Sequence, residues 1–230
     1  MSSDLTFALP GGGRALFTQR TDGNLSSVAG PGRELGEAAR ERIRERIGAR
    51  AIARGYQVHG SVVRRLCELP APMAPGTRPE DADGQATIVP SLATMVLAAD
   101  CLPVAIGCEG AVAMVHAGWR GLAGGVIEEG VAALRALAPS ARELGAVIGP
   151  GAGPCCYEVG PEVREALGLP VADGGKAKID LRAIARERLL AAGVTGVEHV
   201  AACTICDERF FSHRREGAGS GRMAGLAWLS

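Results

Sequence analysis

Two histidines and one cysteine have types and settings that suit shared chemistry. They are His59 in Gln-Val-His-Gly, Cys101 in Ala-Asp-Cys-Leu-Pro and His116 in His-Ala-Gly-Trp-Arg-Gly. The chain has only 4 histidines, and two of them fall in these polar, glycine-bearing signatures. A thiolate and two imidazoles suit zinc, and three protein ligands leave a fourth position for water or substrate. Such a set points to a catalytic metal centre rather than a structural one. Each residue also has an ordinary structural reading. His116 can be a turn histidine, Cys101 a buried small hydrophobe, and His59 between Val58 and Gly60 is ambiguous. The separations, 42 residues from His59 to Cys101 and 15 more to His116, match no local metal motif.

Other reactive residues are less pointed. Cys203-Thr-Ile-Cys206 is a CxxC, but neither a second CxxC nor a histidine pair at finger spacing accompanies it. Cys155 and Cys156 are adjacent and cannot easily close an unstrained disulfide. All four are expected to be structural, reduced thiols. Arg214, Arg215 and Arg222 lie among Gly217, Gly219 and Gly221. Guanidinium forks with permissive backbone can hold an anion, although composition alone favours a solvated basic loop.

The elements that must position these residues follow from periodicity. Ala15 to Thr18 reads as a strand, followed by a polar loop holding Arg20, Asp22, Gly23 and Asn24. Arg33 to Arg54 mixes charges with Ala, Ile and Leu, which predicts one solvated amphipathic helix. Tyr56 to Leu66 reads as a strand carrying His59 near its start. The proline-rich stretch Pro70 to Pro79 reads as a surface loop. Short apolar runs at Thr87–Val89, Thr94–Ala98, Val104–Ile106 and Val112–Val115 read as strands, the last ending at His116. Glycines then lead into a helix over Val126 to Leu137. Ala146 to Ile148 reads as a strand. Pro161 opens a helix to Leu167, where its missing N–H costs nothing. Asp180 is a helix N-cap, with that helix ending near Gly193. Val197 to Ala201 and Met223 to Leu229 close the set as strands. Strands and helices interspersed in this way predict a single α/β domain over residues 1–230 with a mixed sheet.

Composition sets the outer bounds. The chain has 230 residues, 47% of them hydrophobic but only 3% aromatic, so the core must be aliphatic. Basic and acidic residues balance at 25 each, which gives no electrostatic footprint for nucleic acid or an anionic membrane. Nearly all positive charge is Arg, with Lys176 and Lys178 the only lysines. Met1 to Pro10 lacks the basic and apolar regions of a signal peptide. The longest apolar stretch, Ser91 to Gly118, is interrupted by Asp100, Pro103 and Glu109, so buried strands fit it better than a membrane span. Seven cysteines, odd in number and irregularly spaced, suggest reduced thiols in the cytoplasm.

Taken together, the segments resemble the YfiH-like, or laccase-domain, family of purine nucleoside phosphorylases. The matching stretches are Gln57-Val-His-Gly60, Ala99-Asp-Cys-Leu-Pro-Val104, His116-Ala-Gly-Trp-Arg-Gly-Leu122 and Ile148-Gly-Pro. They continue with Pro154-Cys-Cys-Tyr-Glu-Val-Gly160, Cys203-Thr204, Phe210-Phe-Ser-His-Arg-Arg-Glu-Gly217 and Gly221-Arg222, in order from about Ala15 to Leu229. The resemblance implies an α/β/β/α layered fold, with His59, Cys101 and His116 around a zinc ion. It implies phosphorolysis of adenosine, inosine and methylthioadenosine, and deamination of adenosine to inosine. Purine nucleosides and inorganic phosphate are then the partners of a monomer or small homo-oligomer. Arg20, Arg214, Arg215 and Arg222 become candidate phosphate ligands, and Asp100 or Glu158 a candidate proton carrier. The N-terminal stretch Phe17-Thr-Gln-Arg-Thr-Asp-Gly-Asn-Leu-Ser26 departs from the family pattern, with Asp22 where a glycine is usual and a shortened region after it.

Three other readings compete. Cys101 with His116 can form a metal-free thiolate–imidazolium pair for hydrolysis, as in peptidoglycan editing. Copper at the same site can support weak phenol oxidation, but four histidines are too few for a trinuclear multicopper centre. A non-catalytic nucleotide- or protein-binding domain is the third.

Overall fold

Period-two alternation decides which way each strand faces. Ala113 and Val115 belong to one apolar cluster, whereas Val112 and Met114 belong to another. The same split separates Val104 and Ile106 from Ala105, and Leu16 and Leu226 from Ala15, Phe17 and Ala227. Both faces of these strands are buried, so each must be covered twice.

The structure, a computed structural model, describes residues 5–71, 77–171 and 175–230. In chain order its elements are β1 (Leu5–Ala8), β2 (Gly13–Phe17), α1 (Gly36–Arg46), β3 (Ala51–Ala53), β4 (Val63–Leu66), β5 (Gly84–Thr87) and β6 (Leu92–Ala98). Then come β7 (Leu102–Cys108), β8 (Ala111–Ala117), α2 (Trp119–Ala123), α3 (Val126–Leu137), β9 (Leu144–Ile148), β10 (Glu158–Val159) and α4 (Pro161–Ala166). The chain ends with β11 (Ala177–Lys178), α5 (Leu181–Ala191), β12 (Gly196–His199), α6 (His213–Glu216) and β13 (Met223–Leu229).

Two mixed sheets result. One has the order β1-β2-β13-β6-β3, the other β12-β9-β7-β8-β5-β4. Only the β3–β6, β12–β9 and β4–β5 pairs in them are parallel. The inner faces meet through Phe17, Val96, Val112, Met114 and Val147. On the outside of the six-stranded sheet, Ile127, Val131 and Leu134 of α3 and Ala185 and Leu189 of α5 close a second core. Ala39 and Ile43 of α1 cover Leu16, Met95 and Leu226 on the five-stranded sheet. The layers are therefore α/β/β/α, as expected. Leu134 is fully buried, so truncation to alanine should cost roughly 2–5 kcal/mol.

Several expected elements are placed as read. The α3 helix and β13 have the expected limits. Asp180 caps α5, accepting from the N–H groups of Arg182 (2.9 Å) and Ala183 (3.3 Å), and Gly193 follows with φ 89°. Removing such a cap typically costs about 1 kcal/mol.

Others are corrected. Arg33 to Arg54 is not one helix: α1 stops at Arg46, Gly48 turns with φ 69°, and Ala51–Ala53 pairs with β6 as β3. Alternating charge fits a helix and an edge strand equally well, and the glycine decides between them. Tyr56 to Leu66 is a strand only from Val63; before it the backbone N–H groups of residues 58–60 are held by the Asp83 carboxylate. The Thr87–Val89 strand lies earlier, as β5, and the strand expected to end at His116 runs one residue further, to Ala117, as β8. The Pro70–Pro79 loop lies partly outside the described residues; 70–71 and 77–79 have no regular structure.

The chain passes between the two sheets at three relevant places. Residues 54–62 link β3 to β4, residues 99–101 link β6 to β7, and residues 200–222 link β12 to β13. These links carry His59, Cys101 and the C-terminal arginines.

Candidate active site and metal centre

The three links converge. Ligand atoms of His59, Cys101 and His116 all lie within 4.8 Å of one another. The imidazole rings of His59 and His116 meet edge to face, with centroids 4.9 Å apart. His116 has the strand parity of Val112 and Met114, so it faces the seam between the sheets, and it is buried. Cys101 is half-buried and His59 exposed, so the cluster opens outward on one side.

Asp83 organises this cluster, and sequence reasoning missed it. It is fully buried. Its Oδ1 lies 2.8 Å from His116 Nδ1, which leaves Nε2 for a metal. The same carboxylate accepts from the backbone N–H groups of Val58 (3.0 Å), His59 (3.0 Å) and Gly60 (2.8 Å). That capture bends the segment and lets His59 adopt φ 61°. The Gln57 amide accepts from Leu97 N at 2.7 Å and donates to Leu97 O at 2.8 Å, tying the segment's start to β6. One carboxylate and one amide thus fix His59 between the two sheets.

Cys101 is fixed by a second strained residue. Asp100 has φ 86°. Its Oδ1 accepts from Thr204 Oγ1 at 2.7 Å and its Oδ2 from Arg214 N at 2.7 Å. Both oxygens are engaged, so Asp100 serves as an anchor for the C-terminal link. Among the described residues, His59 and Asp100 are two of the three non-glycine residues with positive φ, consistent with strain held at a working site. Gly118 is required by space. A Cβ there would lie 2.9 Å from Cys101 Sγ and 3.3 Å from His59 Cδ2.

Electrostatics reinforce the grouping. Burial pushes the Cys101 thiol up, but the two imidazoles outweigh it and bring it down to about 6. Burial lowers His116, while the Cys101 thiolate and the Asp83 carboxylate raise it to about 9. Burial raises Asp83, and hydrogen bonds from His116 and Gly60 N–H more than offset that, leaving it low. The donor set of one thiolate and two imidazoles, one of them oriented by a buried carboxylate, fits a zinc ion. A trinuclear copper centre does not fit. His199 lies on β12 and His213 on α6, outside the cluster.

The cluster lies in the wall of a cleft of about 790 Å³. Trp119 and Tyr157 offer aromatic surface, and Arg40, Arg54, Arg214 and Arg222 offer positive charge. Burial holds Arg40, Arg54 and Arg222 below the usual guanidinium range, and the Cys101 and Asp100 charges partly restore Arg222. Arg40 and Arg54 were read from sequence as part of a solvated helix. Their role in the cleft appears only once β3 brings Arg54 beside α1.

The four arginines singled out by sequence divide in two. Arg214 and Arg222 line the cleft. Arg214 spans Glu158 O at 2.8 Å and stacks over Tyr157, with 4.8 Å to the ring centre. Arg222 Nη1 donates to Ser220 O at 2.7 Å and Gly221 O at 2.9 Å. Arg20 and Arg215 do not line it. Arg20 packs over Phe211 and donates to Glu208 O, Phe210 O and Glu216. Arg215 donates to the carbonyls of Thr204, Ile205 and Phe210. These two guanidinium groups hold the C-terminal link together.

Comparison with known proteins agrees with this architecture. Residues 15–230 match the family described as multi-copper polyphenol oxidoreductase laccase. A purine nucleoside phosphorylase of Xylella fastidiosa strain Temecula1 is 41% identical, covering 96% of this chain and 88% of the relative. The purine nucleoside phosphorylase YfiH of Escherichia coli K12 is 38% identical over 75% of this chain and 72% of its own length. Among solved structures, Neisseria meningitidis protein NMB0706 superposes with a TM-score of 0.84 at 35% identity, covering 99% of both chains. YlmD of Geobacillus stearothermophilus gives 0.81 at 28% identity, with 95% and 92% covered. The chain belongs to this laccase-type family, in the company of YfiH proteins.

Proposed function

We propose that the cleft binds a purine nucleoside beside inorganic phosphate and catalyses phosphorolysis to free base and ribose 1-phosphate. The observation that carries this reading is the convergence of His59, Cys101 and His116 in the wall of an arginine-lined cleft. The names of the Xylella and Escherichia relatives support the same class of reaction. Adenosine, inosine and methylthioadenosine are the proposed substrates, with adenosine deamination to inosine as a second activity. The family match over residues 15–230 supports one domain. Seven free cysteines support a cytoplasmic setting.

His59, Cys101 and His116 would hold a zinc ion. Such an ion supplies Lewis acidity toward a substrate atom or water. The protein supplies the rest. Arg214 and Arg222 neutralise phosphate and orient an oxygen toward the ribose C1′. Arg214 is pinned on both sides, by Tyr157 and by Glu158 O, so little freedom is lost when an anion binds. Trp119 and Tyr157 give the purine apolar surface. Asp83 keeps His116 in one tautomer.

A second reading has one observation in its favour. The ligand atoms of Cys101 and His116 lie within 4.8 Å of each other, and each charge favours the other, lowering the thiol and raising the imidazole; such a thiolate–imidazolium pair suits nucleophilic hydrolysis without metal. Product analysis separates the two. Adenosine is incubated with wild type and Cys101→Ala protein, with and without phosphate. Adenine and ribose 1-phosphate formed only with phosphate, and lost in the variant, are expected. Inosine alone makes the protein a deaminase. No product from wild type removes the nucleoside reading.

A further inference from the structure

Four of the seven cysteines gather at one place away from His59, Cys101 and His116. The Sγ atoms of Cys155, Cys156, Cys203 and Cys206 all lie within 4.8 Å of one another. Cys206 Sγ is 3.3 Å from Cys155 Sγ and 3.0 Å from Cys156 Sγ. The sequence expectation of four structural, reduced thiols fits their free state but says nothing of this grouping. No second CxxC is needed, because two distant loops supply two sulfurs each. The parallel bridge between Gly151 and Cys203 brings the loops into register.

Packing does not account for the cluster. Unpaired cysteine is normally among the most buried residue types. Here Cys155 and Cys206 are exposed, and Cys156 and Cys203 are half-buried. The sulfurs face one another rather than an apolar core.

We propose that these four thiolates form a second, structural metal site that takes one tetrahedral zinc ion. Thiolate sulfur sits about 2.3 Å from zinc, which makes the edge of an S4 tetrahedron about 3.8 Å. Mutual distances under 4.8 Å suit one central ion. A polynuclear iron–sulfur cluster would need its thiolates farther apart. The backbone N–H of Gly153 donates to Cys203 Sγ at 3.2 Å, the kind of outer contact that stabilises a metal-bound thiolate. Binding zinc, each thiol gives up its proton to solvent and the sulfur lone pair to the ion; no oxidant is involved.

The site would clasp the two loops that support the cleft. Tyr157, which lies under Arg214, follows Cys156 directly. Thr204, which donates to Asp100, follows Cys203. The ion is therefore a brace for the cleft, with no open position for substrate.

The test isolates this site with Cys101→Ala, which removes the thiolate from the other cluster. Protein purified without chelator is assayed for zinc. Metal-free protein is then titrated with cobalt(II) and read by absorbance. Retained zinc, with the sulfur-to-cobalt charge-transfer and strong visible bands of a tetrahedral thiolate site, is expected. Both should disappear in Cys101→Ala/Cys203→Ser and in Cys101→Ala/Cys206→Ser. Using either double variant guards against a folding defect in one of them. Absence of zinc and of cobalt–thiolate bands in folded Cys101→Ala protein overturns the proposal. A thiol count on unfolded, unreduced protein gives a second reading. Two fewer titratable thiols than cysteines present means a disulfide, and also overturns it.

Discussion

The two sulfur-bearing clusters differ in almost every physical respect. His59, Cys101 and His116 sit on sheet-crossing links and on β8, in the seam between two buried sheets. Their geometry is imposed by Asp83, by two residues with positive φ and by a glycine that a Cβ could not replace. Cys155, Cys156, Cys203 and Cys206 sit on surface loops, with sulfur as their only donor type and the N–H···S contact from Gly153 to Cys203 in support. Mixed ligands with an exposed side suit chemistry, whereas four thiolates suit architecture. The same element in one chain is therefore expected to play two roles, distinguishable by experiment.

The largest contrast should come from removing one sulfur at each place. A bound metal ion contributes several kcal/mol to charge stabilisation, and each 1.36 kcal/mol is tenfold in rate. Cys101→Ala should therefore lower kcat/KM for adenosine phosphorolysis on the order of 10³-fold. Cys206→Ser should lower the melting temperature but leave the rate per folded molecule within a few-fold. Equal losses in both would erase the distinction.

Asp83→Asn tests what organises the first cluster. Changing such an outer partner typically costs about 10–100-fold in metal affinity. Zinc affinity, measured by competition with a chromophoric chelator, should fall by that amount while the four-cysteine site keeps its ion.

The arginines provide a paired control. A hydrogen bond to a charged group contributes roughly 1.5–3 kcal/mol, or about 10- to 100-fold in the KM for phosphate. Arg214→Ala and Arg222→Ala are expected to show that rise. Arg20→Ala and Arg215→Ala should reduce thermal stability with little change in KM, because their donors serve carbonyls and Glu216.

A smaller effect is carried by pH. In metal-free protein, Cys101 is held down to about 6 and His116 up to about 9. The Cys101 contribution to stability is present above the ordinary thiol pKa and lost as pH falls through about 6. The His116 contribution is present below the ordinary imidazole pKa and lost as pH rises through about 9. Alkylation of Cys101, followed residue by residue by mass spectrometry, should have a midpoint near pH 6. A midpoint in the ordinary thiol range would show that the imidazoles do not act on it.

Local pattern made part of this legible. The α3 helix and β13 have clean periods and glycines or turns at their ends, and their limits were correct. The layered order came only with the family resemblance; periodicity by itself predicts a single α/β domain with a mixed sheet, and burial of both strand faces appears only in the structure. What sequence could not show depends on distant partners. The turn at His59 is set by Asp83, 24 residues on, so a local apolar run looked like strand. Arg54 became a cleft residue only through β3 pairing with β6. The four-cysteine cluster required the Gly151–Cys203 bridge, which no spacing rule encodes. Arg20 and Arg215 enter as candidate phosphate ligands through the family resemblance, and in the structure their guanidinium groups donate to the carbonyl oxygens of Phe210 and Thr204.

The most direct measurement is a zinc titration of metal-stripped Cys206→Ser protein, which retains the His59–Cys101–His116 site, in the presence of adenosine and phosphate. Bound zinc and ribose 1-phosphate formation are followed together. The expected result is no product without zinc and a rate that rises in step with zinc until one ion per chain is bound. Full activity in the stripped protein, or stoichiometric zinc binding without product, would contradict a zinc-dependent nucleoside phosphorylase.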